Sequence, residues 1–155
     1  MIPVQHIHPM LVHFPIVLVI LLAGVDTFAT LLGKSVTGRS TLGNVSLVLV
    51  LLSAAFALAT FFFGGLALDV AEQTGFHSDI AETHEMLGTI VAVSTAAYAL
   101  LRAFLWWRDA RVTGAGAFLF PVLGFAASAL VGVTAFYGGQ LVYELGVNVT
   151  KIAMN

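Results

Sequence analysis

Four stretches of this chain are apolar over lengths that a water-soluble fold has no use for. They run roughly over 10–32, 44–68, 84–107 and 115–141. Each has about 20 residues or more, enough to cross a hydrocarbon core of ~30 Å as a helix rising about 1.5 Å per residue. Lipid offers the backbone no hydrogen-bond partner, so a spanning segment must satisfy its own N–H and C=O groups, and helices do so. The predicted fold class is therefore all-α: an antiparallel four-helix transmembrane bundle, one domain over 1–155. Composition agrees. Of 155 residues, 59% are hydrophobic and 9% charged, and the mean hydropathy is +1.01, beyond what a soluble domain can bury.

Other classes fall away. No Lys or Arg precedes Lys34, so the first run lacks the basic flank of a secretory signal peptide. The chain has no cysteine, which removes disulfides, thiolate metal sites and covalently attached c-type haem. A net charge of −2 argues against nucleic acid as a partner. The expected partner is the lipid bilayer, and a homodimer is compatible with the pattern.

Cations set the expected orientation. Lys34, Arg39, Arg102, Arg108 and Arg111 lie in or beside the first and third connections, against Lys151 alone on the other side. Those connections are expected in the cytoplasm, with both termini and the second connection outside, in a bacterial inner (plasma) membrane. Trp106 and Trp107 suit the inner aromatic belt. All five histidines then lie on the outer side, with Asp69, Glu72, Asp79, Glu82, Glu85 and Glu144.

The histidines are the chemistry-bearing feature. His6, His8 and His13 stand at the mouth of the first run, His77 and His84 at the mouth of the third. His6-x6-His13 opens the first helix and His77-x6-His84 the third, while Gly64-Gly65 and Gly138-Gly139 close the second and fourth. The chain thus reads as one hairpin written twice, its halves related by an axis along the membrane normal. This alignment places His13 and His84 at matching depth on parallel helices. On a helix, His77 and His84 would share a face about 10 Å apart. Pro9 biases His8 towards extended backbone. Pro15 leaves the Leu11 carbonyl without its helical donor and predicts a bend near His13.

A single interfacial histidine is usually a headgroup anchor, and paired glycines usually serve helix packing. Five histidines on one side, paired by spacing, point to a ligand. Neutral imidazole suits haem iron, zinc and copper. A haem in a bundle takes one histidine from each of two facing helices, with small and aromatic residues around it. The candidate cofactor-binding residues are His13 and His84 first, then His8, His77 and His6. They fit haem b, one or two per chain. Zinc or copper is the alternative, with His13, His84, His8 and His77 as ligands and Asp79, Glu82 or Glu85 as the carboxylate. Asp26 and Arg102 lie inside the first and third helices near the inner end. An ion pair is the favoured reading, and a proton or quinone site the functional one.

The run His8-Pro9-Met-Leu-Val-His13-Phe14-Pro15 resembles the opening of a widespread bacterial family of predicted four-helix membrane proteins of unassigned function. Similar to that family too are His84-Glu85-Met-Leu-Gly88 and Gly138-Gly139-Gln-Leu-Val-Tyr143-Glu-Leu-Gly146-Val147. The resemblance covers essentially the whole chain and marks His8, Pro9, His13, Pro15, His84, Gly138 and Gly139. Some members carry Rieske iron–sulfur domains, which implies redox work. This chain has none, so its electron partner would be separate. The resulting expectation is a membrane b-type cytochrome passing electrons between the quinone pool and an outer-side carrier. A non-redox zinc or copper protein is one alternative, a small transporter or channel subunit another. No hydrolytic constellation is visible.

The orientation is checked by reporter fusions. A fusion at Gly38 should report from the cytoplasm and one at Asp79 from the outer side; the reverse pattern overturns the assignment.

Overall fold

The computed structural model describes residues 3–149. A 3-10 turn over Val4–His6 leads into α1 (Ile7–Leu11) and α2 (His13–Leu31). These are followed by α3 (Thr41–Glu72), α4 (Asp79–Trp107), a 3-10 turn over Gly114–Phe118, and α5 (Leu119–Tyr143). There is no strand among the described residues. Four helical stretches, Val4–Leu31, Thr41–Glu72, Asp79–Trp107 and Gly114–Tyr143, are long and apolar enough to cross a membrane. Their outward faces carry Leu, Val, Ile and Phe, a surface that would aggregate in water and that lipid solvates.

The helices are longer than the hydropathy predicts because polar residues continue them past the apolar runs. Ser40 caps α3, its side chain accepting from the Gly43 N–H at 3.0 Å. Ser78 caps α4 by accepting from Ile80 N–H at 3.2 Å, with Asp79 and Glu82 in the first turn where a helix N-terminus favours anions. Gly33, at φ +67°, ends α2, and its neighbour Lys34 N–H closes back on the Ala29 carbonyl at 2.9 Å. The entry is bent where Pro15 predicts. The helix breaks at Val12, between α1 and α2, because Pro15 has no N–H for Leu11. His8, by contrast, is helical within α1 despite the proline that follows it.

Helices adjacent in sequence pack together, and α5 closes the ring on α2. The two pairs α2/α4 and α3/α5 therefore stand at diagonal corners. This is the layout that two parallel hairpin repeats about a central axis require. The first and third spans, α2 and α4, are therefore not neighbours, contrary to expectation; they stand across the centre from each other. Close approach is visible at Gly124 of α5, where a Cβ would lie 2.9 Å from the Cα of Ala23 in α2.

The core at one end is polar. Asp26 is 0% and Arg102 2% exposed, and Arg102 donates to the Asp26 carboxylate at 2.7 Å. Arg102 also donates to the Tyr98 hydroxyl at 2.7 Å and the Val36 carbonyl at 2.7 Å. Ser46 touches both charges, donating to Asp26 and accepting from Arg102. The guanidinium carbon lies 4.8 Å from the Phe120 ring centroid, a cation–π contact. The first connection is thus not simply a polar turn: Val36 and Thr37 fold back into the bundle end and are buried. Outside the spans, Asp109 accepts from the Arg39 N–H at 2.6 Å. That bond, with Arg111 beside it, holds the Asp109 carboxyl below its ordinary range. The tie is therefore present above about pH 4 and is lost as pH falls through the lowered value.

The enclosed ion pair generates a stability prediction. Asp26→Asn or Arg102→Met should each destabilise the bundle by about 3–5 kcal/mol, since each strands an unpaired buried group. The double variant Asp26→Leu with Arg102→Met should recover most of that loss. Thermal unfolding in detergent micelles measures both. Single variants as stable as the parent would show that the pair is not structural.

Candidate functional site

Two histidines face each other inside the opposite end of the bundle: His8 of α1 and His84 of α4. Their ring centroids are 6.0 Å apart and their planes are at 88°. His8 Nδ1 lies 2.9 Å from the Thr60 carbonyl of α3, and His84 Nδ1 lies 3.0 Å from the Thr134 carbonyl of α5. A carbonyl oxygen only accepts, so each Nδ1 carries the proton and donates. In the neutral ring each Nε2 is then left with a free lone pair. Carbonyl-anchored imidazole of this kind is the usual way a protein presents Nε2 to a metal.

The glycines explain how the rings reach those carbonyls. In a helix the carbonyl of residue i points at residue i+4, so a side chain at i+4 would cover it. Four residues after Thr60 stands Gly64, and four after Thr134 stands Gly138. A Cβ at Gly64 would lie 3.0 Å from His8 Cε1, and one at Gly138 would lie 2.9 Å from His84 Cε1. The two constellations match one for one. His8 and Thr60 are 52 residues apart, His84 and Thr134 are 50.

The duplication therefore aligns differently from the His-x6-His spacing. His8, not His13, is the counterpart of His84. His13 begins α2 beyond the bend, is exposed, and lines neither cavity. His77 precedes the capping Ser78, so it is not helical and shares no helix face with His84; it too is exposed. His6 lies in the first 3-10 turn and lines the larger cavity. That cavity, of about 520 Å³, lies on one side of the histidine pair, walled by Gly64, Gly65, Gly138, Phe61, Phe62 and Phe76 among others. Its carboxylates are Asp69 and Glu85; Asp79 and Glu82 do not reach it. A smaller apolar cavity of about 80 Å³ shares His8 and His84 as wall residues. The Thr60 hydroxyl lines it, buried and without a hydrogen-bond partner. No group of three or more His, Asp or Glu is arranged to hold a metal ion among the described residues. Asp26 and Arg102 border neither cavity.

Sequence reading missed Thr60, Thr134, Tyr98 and Ser46. A signal for the threonines exists. His8-Pro9-Met10-Leu11 matches His84-Glu85-Met86-Leu87, and Thr60-x3-Gly64-Gly65 matches Thr134-x3-Gly138-Gly139. The anchoring carbonyls are testable by nitrogen-15 NMR of the imidazoles. Both His8 and His84 should be Nδ1-protonated. Gly64→Ala should disturb the His8 signals and Gly138→Ala those of His84, each leaving the other in place. Shifts shared equally by both rings would count against separate anchors.

One protein-family model matches residues 5–151; it is described as a predicted membrane protein (DUF2231). No curated protein matches the chain. No solved structure matches it.

Proposed function

The chain belongs to this family of predicted membrane proteins, and we propose that it works there as a b-type cytochrome with His8 and His84 as the axial ligands. The facing imidazoles carry the reading: two Nδ1-anchored rings, one from each hairpin, on opposite sides of the bundle axis. Their ring centroids are 6.0 Å apart, and these two imidazoles are the residues that would hold the haem iron. A structural zinc site calls for four protein ligands and a catalytic one for three. The described residues bring two together. Haem brings four nitrogens of its own and asks the protein for two. The glycines and phenylalanines of the larger cavity suit the faces of a flat apolar ring.

The site is single. Asp26 and Arg102 are 76 residues apart, as are His8 and His84, and the same separation takes His6 to Glu82 and His13 to Thr89. No second histidine pair arises from the repeat, so one haem per chain is expected. Bound haem supplies one-electron chemistry, and the proposed traffic is between the quinone pool and an outer-side carrier.

An absorption spectrum of the purified protein tests this. Reduction should give the sharp bands of a low-spin, six-coordinate haem. His8→Ala or His84→Ala should abolish them, while His13→Ala and His77→Ala should leave them. Loss with His13→Ala but not His8→Ala would overturn the assignment. A colourless protein that holds copper or zinc through His8 and His84 would favour the non-redox metal reading. One with neither haem nor metal would favour the transporter.

A further inference from the structure

We infer that electrons enter and leave this protein at the same end of the bundle, so that it moves charge along one membrane face and not across the bilayer. The inference rests on the haem reading above. Asp26 follows His8, and Arg102 follows His84, by the same interval, which along the unbroken α4 is about 27 Å. Beside the ion pair the centre is packed with Leu22, Val50, Ala54 and Ala99. At the far level it is sealed by the Asp26–Arg102 pair. No described histidine lies beyond His13 in the first span or beyond His84 in the third. Electron tunnelling decays exponentially with distance through such packing. A haem on His8 and His84 therefore exchanges electrons with partners at its own end. The larger cavity serves both kinds of partner there. Its wall includes lipid-facing Phe62 and Val142 and exposed Asp69 and Glu85. A quinol from the adjacent leaflet can supply two electrons in succession and release two protons to the water on that side. Haem held by His8 and His84 would supply one-electron chemistry, so the two electrons would pass one at a time to a water-soluble one-electron acceptor.

The test uses the full-length, haem-loaded protein in liposomes. The chain has no cysteine, so Asp79→Cys gives a single thiol at the histidine end. Labelling with an impermeant maleimide reports the fraction with that end outward. After reduction, external ferricyanide, which does not cross the bilayer, should oxidise a haem fraction equal to the labelled fraction and none of the remainder. Ferricyanide trapped inside should oxidise the complement. Oxidation of all the haem from either side would overturn the inference. A protein with no haem band would remove the haem reading and this inference with it, a failure recognisable before any oxidant is added.

Discussion

Arg102 and Asp26 form a charge pair enclosed within one end of a helix bundle, with side chains 1% and 0% exposed. Hydrocarbon makes either charge alone prohibitive, so the two helices that carry them have one acceptable register. The surroundings complete the requirement. Tyr98, Ser46 and the Val36 carbonyl take up donors of the guanidinium, and Phe120 covers its face. The pair also occupies equivalent places in the two hairpins, separated by the same 76 residues as the histidines. Two identical hairpins would bring two carboxylates or two guanidiniums together there. The halves must therefore differ at this point, and a bundle of one hairpin with itself is disfavoured.

That register reaches the other end. His8 precedes Asp26 by the same number of residues as His84 precedes Arg102. Aligning the charges in depth aligns the imidazoles in depth. The ion pair and the histidine pair are then two levels of one axis, the first closed on itself by hydrogen bonds and the second presenting two imidazoles. Each imidazole is oriented by backbone alone, through a carbonyl that a glycine one turn later leaves uncovered. The acceptor, being backbone, does not depend on the rotamer of a second side chain. It also serves a ring inside the bundle without bringing another polar side chain into lipid.

The arrangement places the reactive end and the structural end apart. The large cavity, the His8–His84 pair, Asp69 and Glu85 share one end. The other carries the buried pair, the folded-back Val36 and Thr37, the tie between Asp109 and Arg39, and the ring of Trp106 over Arg39. Beside the pair lies small-residue packing, Ala54 and Ala99 against Leu22 and Val50.

Much of this was legible from residues alone, because lipid imposes few solutions. Four apolar runs determined four helices, and Pro15 determined the bend. The Gly-Gly pairs pointed to a repeat, and an acid and an arginine inside spans pointed to an ion pair. What the sequence did not decide was which histidine meets His84. The His-x6-His spacing favoured His13, whereas His-x-Met-Leu favoured His8, and a linear pattern has no means of ranking them. Tertiary structure ranks them. The bend at Val12 turns His13 outward and carries His8 under Gly64, where the Thr60 carbonyl is open, while Ser78 starts α4 too late for His77 to join it. Spacing along a chain determines which residues could share a level; only packing around an axis decides which of them face inward.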